Sequence, residues 1–149
     1  MKTLLTFIAA TLISIAASAQ QNVQGMLDAY LEVKDDLVKS DSRQTALHAK
    51  EFLEILGSEK SFAEKEAMLG SVRKIAQTND IEKQRTAFAE LSVMMWTLVK
   101  NAGKISYDVY YQYCPMKKAY WLSREASIKN PYYGSSMLTC GKVSDKKMK

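Results

Sequence analysis

Apolar residues recur at every third or fourth position up to about residue 100, then switch to every second position, so the sequence predicts helices followed by strands. Val23, Met26, Leu27, Tyr30, Leu37 and Val38 mark one helical face over residues 22–39. Asp41-Ser42 with Gln44 reads as a helix start, and Ala46, Ala49, Phe52, Leu53 and Leu56 extend a second apolar stripe over residues 42–56 up to Gly57. Ser61 and Glu64 have capping-box spacing ahead of Phe62, Leu69, Val72, Ile75 and Ala76. Asp80 precedes Ile81, Phe88, Leu91, Met94, Met95, Leu98 and Val99, and Asn101-Ala102-Gly103 closes this fourth helix.

Beyond Gly103 the period becomes two. Tyr107, Val109, Tyr111 and Tyr113 alternate with Ser106, Asp108, Tyr110 and Gln112, as in a strand, and Pro115 ends regular pairing just after Cys114. Ala119-Tyr120-Trp121-Leu122 reads as a second short strand, and Asn130-Pro131-Tyr132-Tyr133-Gly134 as a turn. The expected fold is mostly α. Short connections between helices favour an up-and-down four-helix bundle over residues 20–103, followed by a small β-hairpin and loop cap over residues 104–143. The two parts are expected to form a single domain, 20–143, followed by an unstructured Lys-rich tail, 144–149.

Composition adds a compartment and a break. Lys2, the apolar run 4–15 and Ala17-Ser18-Ala19 make residues 1–19 a secretory signal peptide, so the mature protein is expected to be soluble, in the periplasm or otherwise exported, with no membrane insertion after cleavage. Residues 20–103 carry 11 basic and 13 acidic side chains, a balance of −2. Residues 104–149 carry 9 and 3, a balance of +6, and together these make the mature charge only +4. Export and that modest charge argue against nucleic acid as a partner, despite interleaved basic and aromatic residues. With one histidine, His48, and no paired carboxylate motif, no general acid–base constellation assembles, and the chain is not expected to be an enzyme. His48, on an amphipathic helix, is expected as a boundary residue rather than a ligand, and Met94, Met95 and Trp96 as core filling.

The chemistry of the chain lies in its sulfur atoms. Both cysteines fall in the last third, in Tyr113-Cys114-Pro115-Met116 and Met137-Leu138-Thr139-Cys140-Gly141, each near a methionine. In an exported protein an even cysteine count ordinarily means a disulfide, and closing the loop from Cys114 to Cys140 would stabilise the fold by about 3–4 kcal/mol. A disulfide leaves the methionines without a role. Thioether sulfur is a poor ligand for zinc, calcium or magnesium and a good one for copper(I). Pro115 restricts the backbone between two sulfur residues, so little local entropy remains to be lost on coordination. The metal positions are therefore expected to be Cys114, Met116, Met137 and Cys140.

Residues 105–143 also carry a resemblance. Tyr111-Gln112-Tyr113-Cys114-Pro115-Met116, Ala119-Tyr120-Trp121-Leu122-Ser123, Ile128-Lys129-Asn130-Pro131-Tyr132-Tyr133-Gly134 and Met137-Leu138-Thr139-Cys140-Gly141 resemble a family of exported domains of unknown function. A similar stretch ends some periplasmic adaptor subunits of heavy-metal efflux pumps of the resistance-nodulation-division type. Ile81 to Arg85, with Phe88, Leu91 and Ser92, is similar to the fourth helix of that family. The resemblance implies a helical domain in copper or silver handling, its partners being the metal ion and an efflux adaptor or another copper-handling protein. Many relatives have histidines where this chain has Lys83 and Thr86, which implies a site of sulfur ligands alone. Two functions are expected on these grounds. One is an exported copper(I) or silver(I) chaperone, buffer or sensor; the other is a disulfide-stabilised interaction domain that docks on a partner through its basic aromatic face, without metal.

Overall fold

A computed structural model describes residues 22–149, and the signal peptide expected over residues 1–19 lies outside them. The described chain is mostly helical, with four helices and a small three-stranded antiparallel sheet at the C-terminal end. The helices are α1 (Val23–Lys39), α2 (Ser42–Ser58), α3 (Lys65–Ala76) and α4 (Ile81–Asn101). Each packs on the next, and α4 returns against α1. No helix among the described residues is long and apolar enough to cross a membrane.

Three of the four helix starts are fixed by side chains that satisfy otherwise unpaired backbone donors. The Asn22 side chain accepts from the Gly25 N–H at 2.8 Å, Asp41 from Gln44 at 3.0 Å, and Asp80 from Glu82 and Lys83 at 3.0 and 3.2 Å. The third helix departs from its capping box. It begins at Lys65, and neither Ser61 nor Glu64 caps it through a side chain. The Lys65 ammonium instead turns back to the Gly57 carbonyl, at 3.2 Å, and the Glu59 carbonyl, closing the end of α2. Met26, Leu27, Tyr30, Leu37, Phe52, Leu56, Val72, Ile75, Phe88 and Leu91 have no exposed surface and form the centre of the core, with Met95 and Trp96 also buried. His48 is half-buried and its Nδ1 lies 2.6 Å from Asp36, tying α2 to α1.

The sheet order is β2-β1-β3, with β1 at Val109–Cys114, β2 at Ala119–Ser123 and β3 at Lys142–Lys147. The alternation read from residue 105 becomes a paired strand only at Val109. Before it, Ser106 donates its N–H to the Gln24 side chain at 2.9 Å and the Tyr107 hydroxyl donates to Asp28, so this stretch is anchored on α1. The tail expected to be unstructured from residue 144 is the other correction. Residues 142–147 pair along β1, with Tyr113 opposite Lys142 and Val109 opposite Lys147. Polar content hid this strand, whose ends are fixed by Lys100 to Asp145 at 2.8 Å and by the Lys147 ammonium on the Lys100 and Ala102 carbonyls at the end of α4.

Alternation gives the sheet two faces. Tyr111 stacks on Trp96 of α4 at 4.7 Å between centroids and on Tyr120 at 4.6 Å, joining one face to the helices. Gln112, Cys114 and Trp121 share the other face, covered by the segment that runs from residue 124 to Gly141.

Candidate metal centre

Cys114 ends β1, buried, with Ala119 of β2 directly across. The chain then turns through residues 115–118, with Lys118 in the left-handed region at φ 54°. This turn aims the Lys117 backbone N–H at the Cys114 sulfur, 3.4 Å away. The Lys117 ammonium reaches Glu82 at 3.3 Å, and Glu82 is held by Arg85 at 2.8 Å, so the turn is fastened to α4. These contacts hold the Glu82 carboxyl below its usual range, Arg85 first, against the opposing effect of partial burial.

The second cysteine is placed by Asn130, which is completely buried. Its side chain donates Nδ2 to the Cys140 carbonyl at 2.7 Å and accepts the Tyr132 N–H at 2.8 Å. Its backbone donates to the Leu138 carbonyl at 2.8 Å and accepts from Gly134 at 3.0 Å. One asparagine therefore closes both ends of the loop 130–140. Inside it, Gly134–Met137 form a short 3-10 helix, and the Cys140 N–H returns to the Met137 carbonyl at 3.1 Å. The loop is fixed to the helices by the Arg85 Nε on the Pro131 carbonyl at 2.9 Å and to β2 by the Tyr132 hydroxyl on the Tyr120 carbonyl.

Two glycines make these approaches possible. Gly134 sits at φ 55°, where a Cβ would lie 2.9 Å from the Val38 carbonyl oxygen at the end of α1. Gly141 sits at φ 153°, where a Cβ would lie 2.8 Å from the Trp121 ring. Side chains are strained in both conformations.

Because Tyr113 faces Lys142, the antiparallel register sets Cys114 beside the start of β3, and Cys140 comes alongside it. Both are free thiols, Cys114 buried and Cys140 half-buried. Burial, then the neighbouring Cys114, push the Cys140 thiol up. Without a cation Cys140 thus favours the protonated form, and a bound cation would displace that proton. Of the four sulfur residues expected at the site, these two are brought together. Met116 stands on the following turn, 65 % exposed, and Met137 ends the 3-10 helix, half-buried.

Among the described residues, no group of three or more His, Cys, Asp and Glu side chains is arranged to hold a metal ion. What these two segments carry is two thiols, with a methionine on the turn after one and on the 3-10 helix before the other, residue types whose sulfur suits soft cations better than zinc or calcium. The sequence reading missed Arg85, Gln112 and Asn130 as the groups that set this geometry. Arg85 carried a signal, since it falls on the same helical stripe as Phe88 and Ser92, where a cation must be buried.

The family described as a protein of unknown function (DUF3347) matches residues 26–106. The chain belongs to this family. The match covers the helices and stops before β1, so both cysteines lie beyond it. No curated protein and no solved structure matches the chain.

Proposed function

We propose that this chain is an exported, periplasmic soft-metal-binding domain that holds copper(I), or silver(I), at Cys114 and Cys140, with Met116 and Met137 as weaker, exchangeable donors. In this reading an up-and-down bundle carries a cap that presents the sulfur motifs. The domain acts as a chaperone, buffer or sensor linked to heavy-metal efflux, delivering its ion to an efflux adaptor or another copper-handling protein. Its work is ligand exchange and includes no catalytic step.

The observation that supports this most is the thiol pair: two free cysteines from separate segments, side by side, with the Lys117 N–H directed at one sulfur and a methionine on each flank. Thiolates would supply the affinity and thioethers the exchangeable positions. The same closeness favours a second reading, in which the pair oxidises to a disulfide in a domain that docks on a partner without metal.

Titration of the reduced protein with copper(I) against a chromophoric chelator separates them. The metal reading expects one ion per chain, loss of binding in Cys114→Ser and Cys140→Ser, and weaker binding in the Met116→Leu, Met137→Leu double variant. Wild type and double variant binding equally weakly, together with no free thiols in protein taken from its own compartment, would establish the disulfide reading instead.

A further inference from the structure

We propose that the rim of the thiol pair is a docking surface for an acidic protein partner that exchanges the soft cation by direct contact, an inference that rests on the metal-binding reading above. Met116, Leu138 and Val143 are 65 %, 39 % and 41 % exposed. Met116 follows Cys114 by two residues and Leu138 precedes Cys140 by two. Val143 pairs with Gln112, whose side chain shares the face of Cys114. Exposed apolar side chains are thus borne by the turn after Cys114, by the loop before Cys140 and by the strand that pairs with β1. Such side chains suit contact with another protein.

Charge decides which kind. Lys118, on the turn after Cys114, and Lys142, at the start of β3, are exposed and have no carboxylate partner among the described residues. The acidic groups that could balance them are engaged, Glu82 by Arg85 and Lys117, and Asp145 by Lys100. Lysines along an edge strand deter unwanted strand pairing, which accounts for the exposed Lys146 on β3, while the Lys147 ammonium is bound to carbonyls at the end of α4. Lys118 has no such edge to guard, because it sits in a turn at φ 54°. An uncompensated cationic rim around an apolar centre matches an anionic surface with apolar contacts of its own. No amphipathic helix carries these side chains, so a protein fits the surface better than a lipid headgroup layer.

Direct contact also suits the cargo. The ion keeps its oxidation state throughout: a bond to a partner sulfur breaks as one to Cys140 forms, and the thiol proton passes to water. An exposed thioether such as Met116 is positioned to meet an incoming donor first.

The test uses three synthetic peptides sharing one Met-x-Met core, flanked by Asp and Glu, by Ser, or by Lys, each loaded with copper(I) and mixed with the reduced protein. Transfer from the acidic peptide is expected to be about tenfold faster than from the Ser-flanked one at low salt, with the advantage falling to about twofold at about 0.5 M salt. The Lys118→Glu, Lys142→Glu double variant, shown to be folded by circular dichroism, is expected to lose the advantage and keep its equilibrium copper affinity. Equal rates from the three peptides, or salt-independent rates, overturn the docking surface. So does binding to vesicles of phosphatidylcholine and phosphatidylglycerol that the double variant abolishes while the acidic peptide has no effect. If chelator competition finds no copper(I) binding, the metal reading fails separately. A fluorescence titration of metal-free protein with metal-free acidic peptide then decides docking alone, saturable salt-sensitive binding supporting it and no binding overturning it.

Discussion

The guanidinium of Arg85, buried in α4, donates its Nε to the carbonyl of Pro131 at 2.9 Å, so a helix within the family-matched region holds the loop that carries Cys140. The same group reaches the Leu37 carbonyl at 3.4 Å and Ser40 at 3.0 Å at the end of α1. Three parts of the chain are joined through one cation. Arg85→Ala leaves buried carbonyls without donors and is expected to cost about 2–4 kcal/mol, read as a lower midpoint in urea unfolding. Arg85→Lys keeps the charge, cannot span the same acceptors, and should recover less than half of that loss. A midpoint unchanged in Arg85→Ala would show that the loop is held by other contacts.

Asn130 makes a sharper prediction, because its two ends have opposite hydrogen-bond sense. Asn130→Ala removes the donor to the Cys140 carbonyl and the acceptor for the Tyr132 N–H, and is expected to cost about 2–3 kcal/mol. Asn130→Asp keeps the acceptor and places a second one against the Cys140 carbonyl, so it should destabilise at least as much at neutral pH. In both variants the buried Cys114 thiol should react faster with a chromogenic disulfide reagent. Unchanged reactivity at equal destabilisation would separate the asparagine from the placement of the thiols.

Glycine positions give predictions of opposite sign. At Gly141 a Cβ meets the Trp121 ring, and Gly141→Ala should cost about 1–3 kcal/mol. At Gly70, inside α3, nothing lies within 4 Å of an added Cβ. Gly70→Ala is expected to stabilise by about 0.5–1 kcal/mol, because glycine is a poor helix former. Thermal unfolding of the two variants should shift in opposite directions; a shift in the same direction contradicts the packing described at one of these sites.

Acid should weaken the link between the cysteine turn and α4. Arg85 and then Lys117 hold Glu82 below its ordinary carboxyl value of 4.5 when folded. Its stabilising contribution is therefore complete above that value and fades as the pH falls through the lower, folded one. Glu82 is 59 % exposed, so screening keeps the effect under about 1 kcal/mol. Glu82→Gln should reduce stability at neutral pH by that amount and flatten the acid limb of the stability curve. A parallel curve for the variant would assign the acid sensitivity to other carboxylates.

Where burial follows a simple period, the fold was legible in the sequence. The stripes from Val23 to Val99 locate four helices, and Asp41 and Asp80 mark two of their starts, because a short acidic side chain ahead of an apolar stripe has little other use. The strand Lys142–Lys147 was not legible. It carries three polar residues and one exposed valine between its end lysines without a buried stripe, and its place is set by the free edge of β1 and by the end of α4. The pairing of Cys114 with Cys140 follows from the register of that same strand, so spacing along the chain could suggest the sulfur set without bringing the two thiols together. Asn130 and Arg85 escaped for a related reason. Their partners are backbone carbonyls distant in sequence, and no local pattern records them.

The most direct measurement is X-ray absorption at the copper edge of the reduced protein loaded with one copper(I) per chain. Donors from both segments predict a first shell of sulfur alone, with fewer sulfur scatterers in the Met116→Leu, Met137→Leu variant and the chain still monomeric. A shell dominated by nitrogen or oxygen, or one unchanged by the methionine substitutions, would contradict the claim that sulfur atoms from these two segments hold a single soft cation.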